Sequence, residues 1–254
     1  AYHNRCMSLV KVLSEYILSL GQEAYIPNFF CKAYRPVLYI PSKEEVKELL
    51  QKMDSRTSHN SEQFRLDREC KILFLLYFCC GLRLSEGRLL KWEHIDLDKG
   101  ILTVLGSKGN KDRLVYLPQD SLPVLKNYKE RQEMLFPGID WAFPGKDPHK
   151  PVSCSGVESS FNRHWAMLPV AKTIDKHPTP HCLRHAFVVE RFNEWMHQGI
   201  DTNTMLPYLS RYLGHKSPDE TYYYYHLVEK AFDTIREKDS VSGKVIPEVI
   251  PYEE

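Results

Sequence analysis

Residues 64–80 place the strongest constraint on the fold. The segment runs from Phe64 through Cys70, Ile72, Leu73, Phe74, Leu75, Leu76, Tyr77 and Phe78 to Cys79 and Cys80, and Gly81 follows it. The glycine is a natural helix stop, and a helix with so many apolar positions is a buried one. No apolar run in the chain approaches the length of a membrane span, so the burial must come from the rest of a globular domain. The chain supplies the material for it. Ser42-Lys43-Glu44-Glu45 is a capping box ahead of Val46, Leu49, Leu50 and Met53, and residues 54–62 read as a polar loop. Ser85-Glu86 opens a short helix through Leu89, Leu90 and Trp92. Ile101 to Leu105 and Arg113 to Leu117 are two strands, joined by the hairpin turn Gly106-Ser107-Lys108-Gly109-Asn110. Helices follow over about residues 119–134 and along the stripe Val157, Phe161, Trp165 and Leu168, with proline-rich irregular chain over 135–154 between them. Thr179-Pro180 caps another helix ending near Gly199, a further one covers 203–213 before Gly214, and Ser217-Pro218-Asp219-Glu220 starts the last. The expected class is mainly α with a small antiparallel β-sheet (α+β).

The helical stripe of Leu9, Val10, Val12, Leu13, Tyr16, Ile17 and Leu20 stops at Gly21. One helix cannot make its own core. Residues 1–25 are therefore either an accessory element or the last helix of a mostly missing helical domain, with 26–41 as a linker, 42–239 as the main domain and 240–254 as a tail. A start at Ala1 rather than Met fits a processed or truncated product. There is no signal-peptide h-region. The seven cysteines form no C-x-x-C, which argues against a disulfide framework or a Cys-rich zinc site and for a reducing cytoplasm. A net charge of +1 does not by itself suggest a nucleic-acid partner. However, residues 217–254 hold nine acids against four bases, leaving 30 bases against 24 acids elsewhere. That distribution permits a basic working surface.

Several residues could carry chemistry, and each has a bland alternative. Arg83, in Gly81-Leu82-Arg83-Leu84-Ser85-Glu86, is either a structural partner of Glu86 or an anion grip. Lys108 in the turn is most simply a solvated lysine. His181 and Arg184 are three apart at a helix N-terminus, where an anion is favoured. His181 and His185 are four apart, a metal-ligand spacing, but no H-E-x-x-H glutamate accompanies them. His215 after its glycine stop is ordinarily structural. Tyr222 to Tyr225 point in four directions on a helix, so periodicity cannot choose among them. Together these groups suit metal-free phosphoryl transfer. Two guanidiniums hold a phosphate, histidines and a lysine handle protons, and a tyrosine attacks.

The order GLRLSE at 81–86, GSKGNKDRLVYLP at 106–118, HCLRH at 181–185 and LGHKSPDETYYYYH at 213–226 resembles the tyrosine recombinase (phage integrase) family. The resemblance implies a catalytic set of Arg83, Lys108, His181, Arg184, His215 and Tyr224. Glu86 would support Arg83, His185 would be structural, and Thr221 and His226 match residues flanking the family's nucleophile. Lys111 is the second choice for the hairpin lysine. Gly87-Arg88, Ala186 and Glu220 depart from the family's frequent residues but remove no catalytic group. The implied activity is site-specific recombination of double-stranded DNA through a 3′-phosphotyrosine intermediate, with no cofactor and no metal. It also implies a synaptic tetramer, exchange of the tail between protomers, a role in a mobile element and a cytoplasmic, nucleoid-associated location. Three other readings are a type IB topoisomerase, a non-catalytic DNA-binding relative and a metal-dependent nuclease built on His181 and His185.

Overall fold

The computed structural model describes residues 2–28, 39–55, 60–107 and 111–224. The chain divides into two compact units, 1–38 and 39–254. In the first, α1 spans Tyr2–Ser19 and ends before Gly21, whose φ is +76°. Within its own unit α1 has no second described element on which to bury Leu9, Val12 and Leu13.

In the second unit, α2 (Lys43–Ser55) begins with the expected reciprocal cap. The Ser42 N–H donates to Glu45 Oε2 at 2.8 Å and the Glu45 N–H to Ser42 Oγ at 3.2 Å. α3 spans Ser61–Cys80, three residues earlier than the apolar pattern suggests, because the Asn60 side chain accepts from the Gln63 N–H and nucleates the first turn in polar sequence. Gly81 closes α3 in the left-handed region, at φ +62°. Leu73, Phe74 and Leu76 are fully buried, each contributing about 1.5–3 kcal/mol. α4 is short, Leu84–Arg88, and stops before Trp92. Trp92 instead enters a separate 3₁₀ turn and donates its indole N–H to Gln132 Oε1 at 2.6 Å.

The sheet is antiparallel in the order β1 (Ile95–Asp96), β2 (Ile101–Ser107), β3 (Lys111–Tyr116). Val104 pairs with Arg113 and Leu102 with Val115. The turn residues 108–110 lie outside the described residues. Then come α5 (Leu122–Leu135), α6 (Cys154–Trp165), α7 (His181–His197), α8 (Thr202–Leu213) and α9 (Asp219–Tyr222). Thr179 does not cap α7 with its hydroxyl, which lies 3.7 Å from Cys182 Sγ. Pro180 takes the cap position, and the Cys182 N–H reaches the Thr179 carbonyl.

α3 is the central helix, packed by α2, α4, α6 and α7. The larger core cluster joins α2, α3, α6 and the sheet. A second joins α7 to α8 through Phe187, Val188, Phe192, Leu206, Leu209 and Leu213, and it includes Tyr224. The described cysteines are all free.

Candidate active site

Three chain segments meet at the Glu86 carboxylate, α4, β3 and α7, the last through Arg184 Nη1 at 3.8 Å. Arg83 caps α4, and its N–H and Nη1 donate to Glu86 Oε2 and Oε1, both at 2.8 Å. Arg113 on β3 grips the same carboxylate with Nη1 and Nη2, at 2.9 and 2.8 Å. Burial alone would raise the Glu86 pKa, but the hydrogen bonds from Arg113 and Arg83 overcome it and hold the carboxyl down at about 2. The structural and functional readings of Arg83 therefore share one geometry. Its Nη1 is clamped by Glu86, while Nη2 reaches the Gly214 carbonyl at 2.7 Å, beside His215.

Arg184 is 2% exposed, a burial a guanidinium tolerates only when fully engaged. Nη1 donates to the Gly81 carbonyl at 2.6 Å, and Nη2 to the Leu213 carbonyl at 2.8 Å and His215 Nε2 at 3.1 Å. The two glycine-stopped helices α3 and α8 thus leave terminal carbonyls that this one side chain satisfies. Burial, then the charge of Arg83, lowers its pKa to about 10, so it stays charged at neutral pH.

An arginine only donates, so His215 Nε2 is the acceptor. Nδ1 carries the ring proton and donates to Thr221 Oγ1 at 2.7 Å. Burial and the neighbouring guanidiniums push the His215 pKa down to about 3, keeping the ring neutral. His181 sits at the first position of α7, exposed at the rim of the site. Partial desolvation and then Arg184 and Arg83 lower its pKa.

Tyr222 and Tyr223 are 45% and 41% exposed, whereas Tyr224 is 5% exposed. The Tyr224 hydroxyl lies 2.6 Å from His185 Nδ1, and its ring is parallel to that of His215, with centroids 6.5 Å apart. Burial raises the Tyr224 pKa to about 12, so the phenol is protonated at rest.

Of the residues singled out by sequence, Arg83, His181, Arg184, His215 and Tyr224 gather here. Lys108 and His226 lie outside the described residues. Lys111 pairs with Ser107 across the hairpin. His181 and His185 meet edge to face, ring centroids 4.7 Å apart, and among the described residues no group of three or more His, Cys, Asp or Glu could hold a metal ion. Sequence reasoning missed Arg113. Strand alternation carried the signal, since Arg113 has the parity of buried Val115 and Leu117, and an arginine pointing inward requires an acid.

The model of the phage integrase family matches residues 42–231. The chain belongs to that family. It is 29% identical over 225 residues to the tyrosine recombinase XerC of Alcanivorax borkumensis, covering 88% of this chain and 68% of that protein. It is 29% identical over 191 residues to the tyrosine recombinase XerA of Pyrococcus furiosus, covering 74% of this chain and 57% of that protein. The chain thus spans only part of the length of these relatives. Among solved structures, the Tn1549 transposon integrase in complex with a circular intermediate DNA superposes with a TM-score of 0.67 at 15% identity, covering 92% of this chain and 78% of that one. The fold is that of tyrosine recombinase catalytic domains, and the family's activity class is tyrosine site-specific recombination. No helix among the described residues is long and apolar enough to cross a membrane.

Proposed function

We propose that this chain cleaves and rejoins double-stranded DNA with Tyr224 as nucleophile. The phenolic oxygen attacks the scissile phosphorus as its proton passes to the neutral His181 at the rim, a 3′-phosphotyrosyl ester forms, and the bond to the 5′ oxygen breaks. Arg83 and Arg184 stabilise the charge that accumulates on the non-bridging oxygens. Lys108 delivers a proton to the departing 5′ oxygen, His181 assists proton transfer at the rim and His215 donates to the phosphate. For that, His215 exchanges its resting partners for the substrate. Attack by a 5′ hydroxyl from a second strand reverses the step and conserves the bond energy.

The observation that carries the reading is the linked set Arg83–Gly214–His215–Arg184. It joins positions far apart in sequence, and the buried Tyr224 stands beside it. In the same reading residues 1–25 end a further helical domain that clamps DNA, 26–41 link it to a catalytic domain over 42–239, and 240–254 dock on a neighbouring protomer in a synaptic tetramer. Binding by this chain alone is weak and salt-sensitive. The protein works on nucleoid DNA, as part of a mobile element.

A test is to select nicked duplexes from a randomised pool by covalent capture on the full chain, followed by denaturing gels. A protease-sensitive adduct is expected with the wild type and none with Tyr224→Phe. A persistent adduct in that variant removes Tyr224 from its role, and absence of any wild-type adduct removes the reading.

A further inference from the structure

Four consecutive tyrosines pose a problem that the reaction chemistry alone does not solve. Tyr222, Tyr223, Tyr224 and Tyr225 carry the same phenol within one short stretch, and a shift of one residue would bring a different hydroxyl to the phosphate. Among the described residues α9 covers Asp219–Tyr222 and a 3₁₀ turn carries Tyr223 and Tyr224, so the local backbone hydrogen bonds treat the tyrosines alike and select none of them. The choice must come from outside the helix. We infer that His185 is the positioning residue that selects Tyr224 as the nucleophile, by accepting its hydroxyl proton at Nδ1 in a hydrogen bond and fixing it one residue away from Arg184. The inference rests on the recombinase reading above.

Three features of the fold support it. First, the contact is short and buried: Tyr224 Oη lies 2.6 Å from His185 Nδ1, and the two residues are 5% and 9% exposed. A buried hydroxyl is costly without a partner, so removing the acceptor favours expulsion of the ring. Second, the polarity is set. Burial, His181 and Arg184 hold the His185 pKa down at about 4, so the ring is neutral. Because Nδ1 is the hydrogen-bond partner of the protonated Tyr224 hydroxyl among the described residues, the phenol donates to Nδ1 and the ring proton is placed on Nε2. Third, the acceptor is itself held in place. His185 follows Arg184 on α7, within the stretch Cys182 to Val188 that is buried throughout, and its ring meets His181 edge to face at 4.7 Å. Tyr223, 41% exposed, and Tyr222, 45% exposed, face solvent instead.

The test uses the full chain and the captured nicked duplex, with the adduct site mapped by mass spectrometry of the phosphotyrosyl peptide. His185→Phe keeps the ring volume and removes the acceptor. His185→Asn returns an acceptor oxygen close to the Nδ1 position. The wild type should link at Tyr224 alone. His185→Phe should cut the Tyr224 adduct rate by at least about tenfold, with residual linkage shifting to Tyr223 or Tyr225. His185→Asn should restore Tyr224 as the main site. If His185→Phe links at Tyr224 alone within twofold of the wild-type rate, the assignment is wrong. If His185→Phe gives no adduct and His185→Asn does not recover it, the acceptor role is also refuted. Lack of any wild-type adduct would instead overturn the recombinase reading, so the two failures are distinguishable.

Discussion

Replacing Glu86 with Gln tests the electrostatic centre of the site. The carboxylate accepts from the Arg83 N–H and from three guanidinium nitrogens of Arg83 and Arg113, and its side chain is 5% exposed. Its pKa falls from 4.5 to about 2 in the folded protein. At 1.36 kcal/mol per unit, that shift corresponds to an upper figure of about 3 kcal/mol of stability at neutral pH. Gln keeps the shape but presents one acceptor oxygen and no charge to two partly buried guanidiniums, so most of that figure should be lost. For a unit of this size the midpoint of thermal unfolding should fall by about 6–12 °C. The pH dependence has a definite sign. The folded pKa lies below the unfolded one, so the contribution is complete above pH 4.5 and disappears as pH drops through 2. Urea unfolding at pH 6 and pH 3.5 should show the gap between wild type and Glu86→Gln narrowing by about 1 kcal/mol. A gap that is negligible at pH 6, or equal at both pH values, would falsify the account.

Other outcomes follow from the same geometry. His185 and His215 titrate near 4 and 3 when folded against 6.5 unfolded, so the unfolded chain binds more protons in that window. Stability should therefore fall as pH drops from 7 to 5, by about 2 kcal/mol from the buried His185 with a smaller, solvent-screened share from His215, and a flat urea midpoint would contradict it. Gly81→Ala puts a Cβ 2.6 Å from Phe187 Cδ1 at φ +62° and should cost about 2–4 kcal/mol in chemical denaturation. Arg184→Lys cannot span the Gly81 and Leu213 carbonyls together, and the adduct rate should drop about 10²–10³-fold, measured by single-turnover cleavage. Tyr224→Phe leaves the buried His185 acceptor without its 2.6 Å partner, so stability should fall by about 1 kcal/mol in addition to the loss of adduct.

Local rules made much of the molecule legible. Gly81 and Gly214 stop α3 and α8 at φ +62° and +68°, where a side chain is strained, so two of the site's corners could be placed from sequence. The Ser42–Glu45 cap and the strand alternation around residues 101–117 are likewise settled within a few residues. The order of the four motifs pointed to Arg83, His181, Arg184, His215 and Tyr224 as one set. Tertiary structure decided what those rules could not reach. Arg113 is one strand residue among others until Glu86, 27 positions earlier, is brought against it. Tyr224 is one tyrosine of four until His185, 39 positions earlier, accepts its hydroxyl. The start of α3 at Ser61 and the failed Thr179 cap show the same limit on a smaller scale. A cap or a glycine stop acts through bonds and sterics a few residues wide, so the sequence displays it directly. Burial and ion pairing depend on which distant segments exclude water together, and that is determined only once the helices and the sheet have packed.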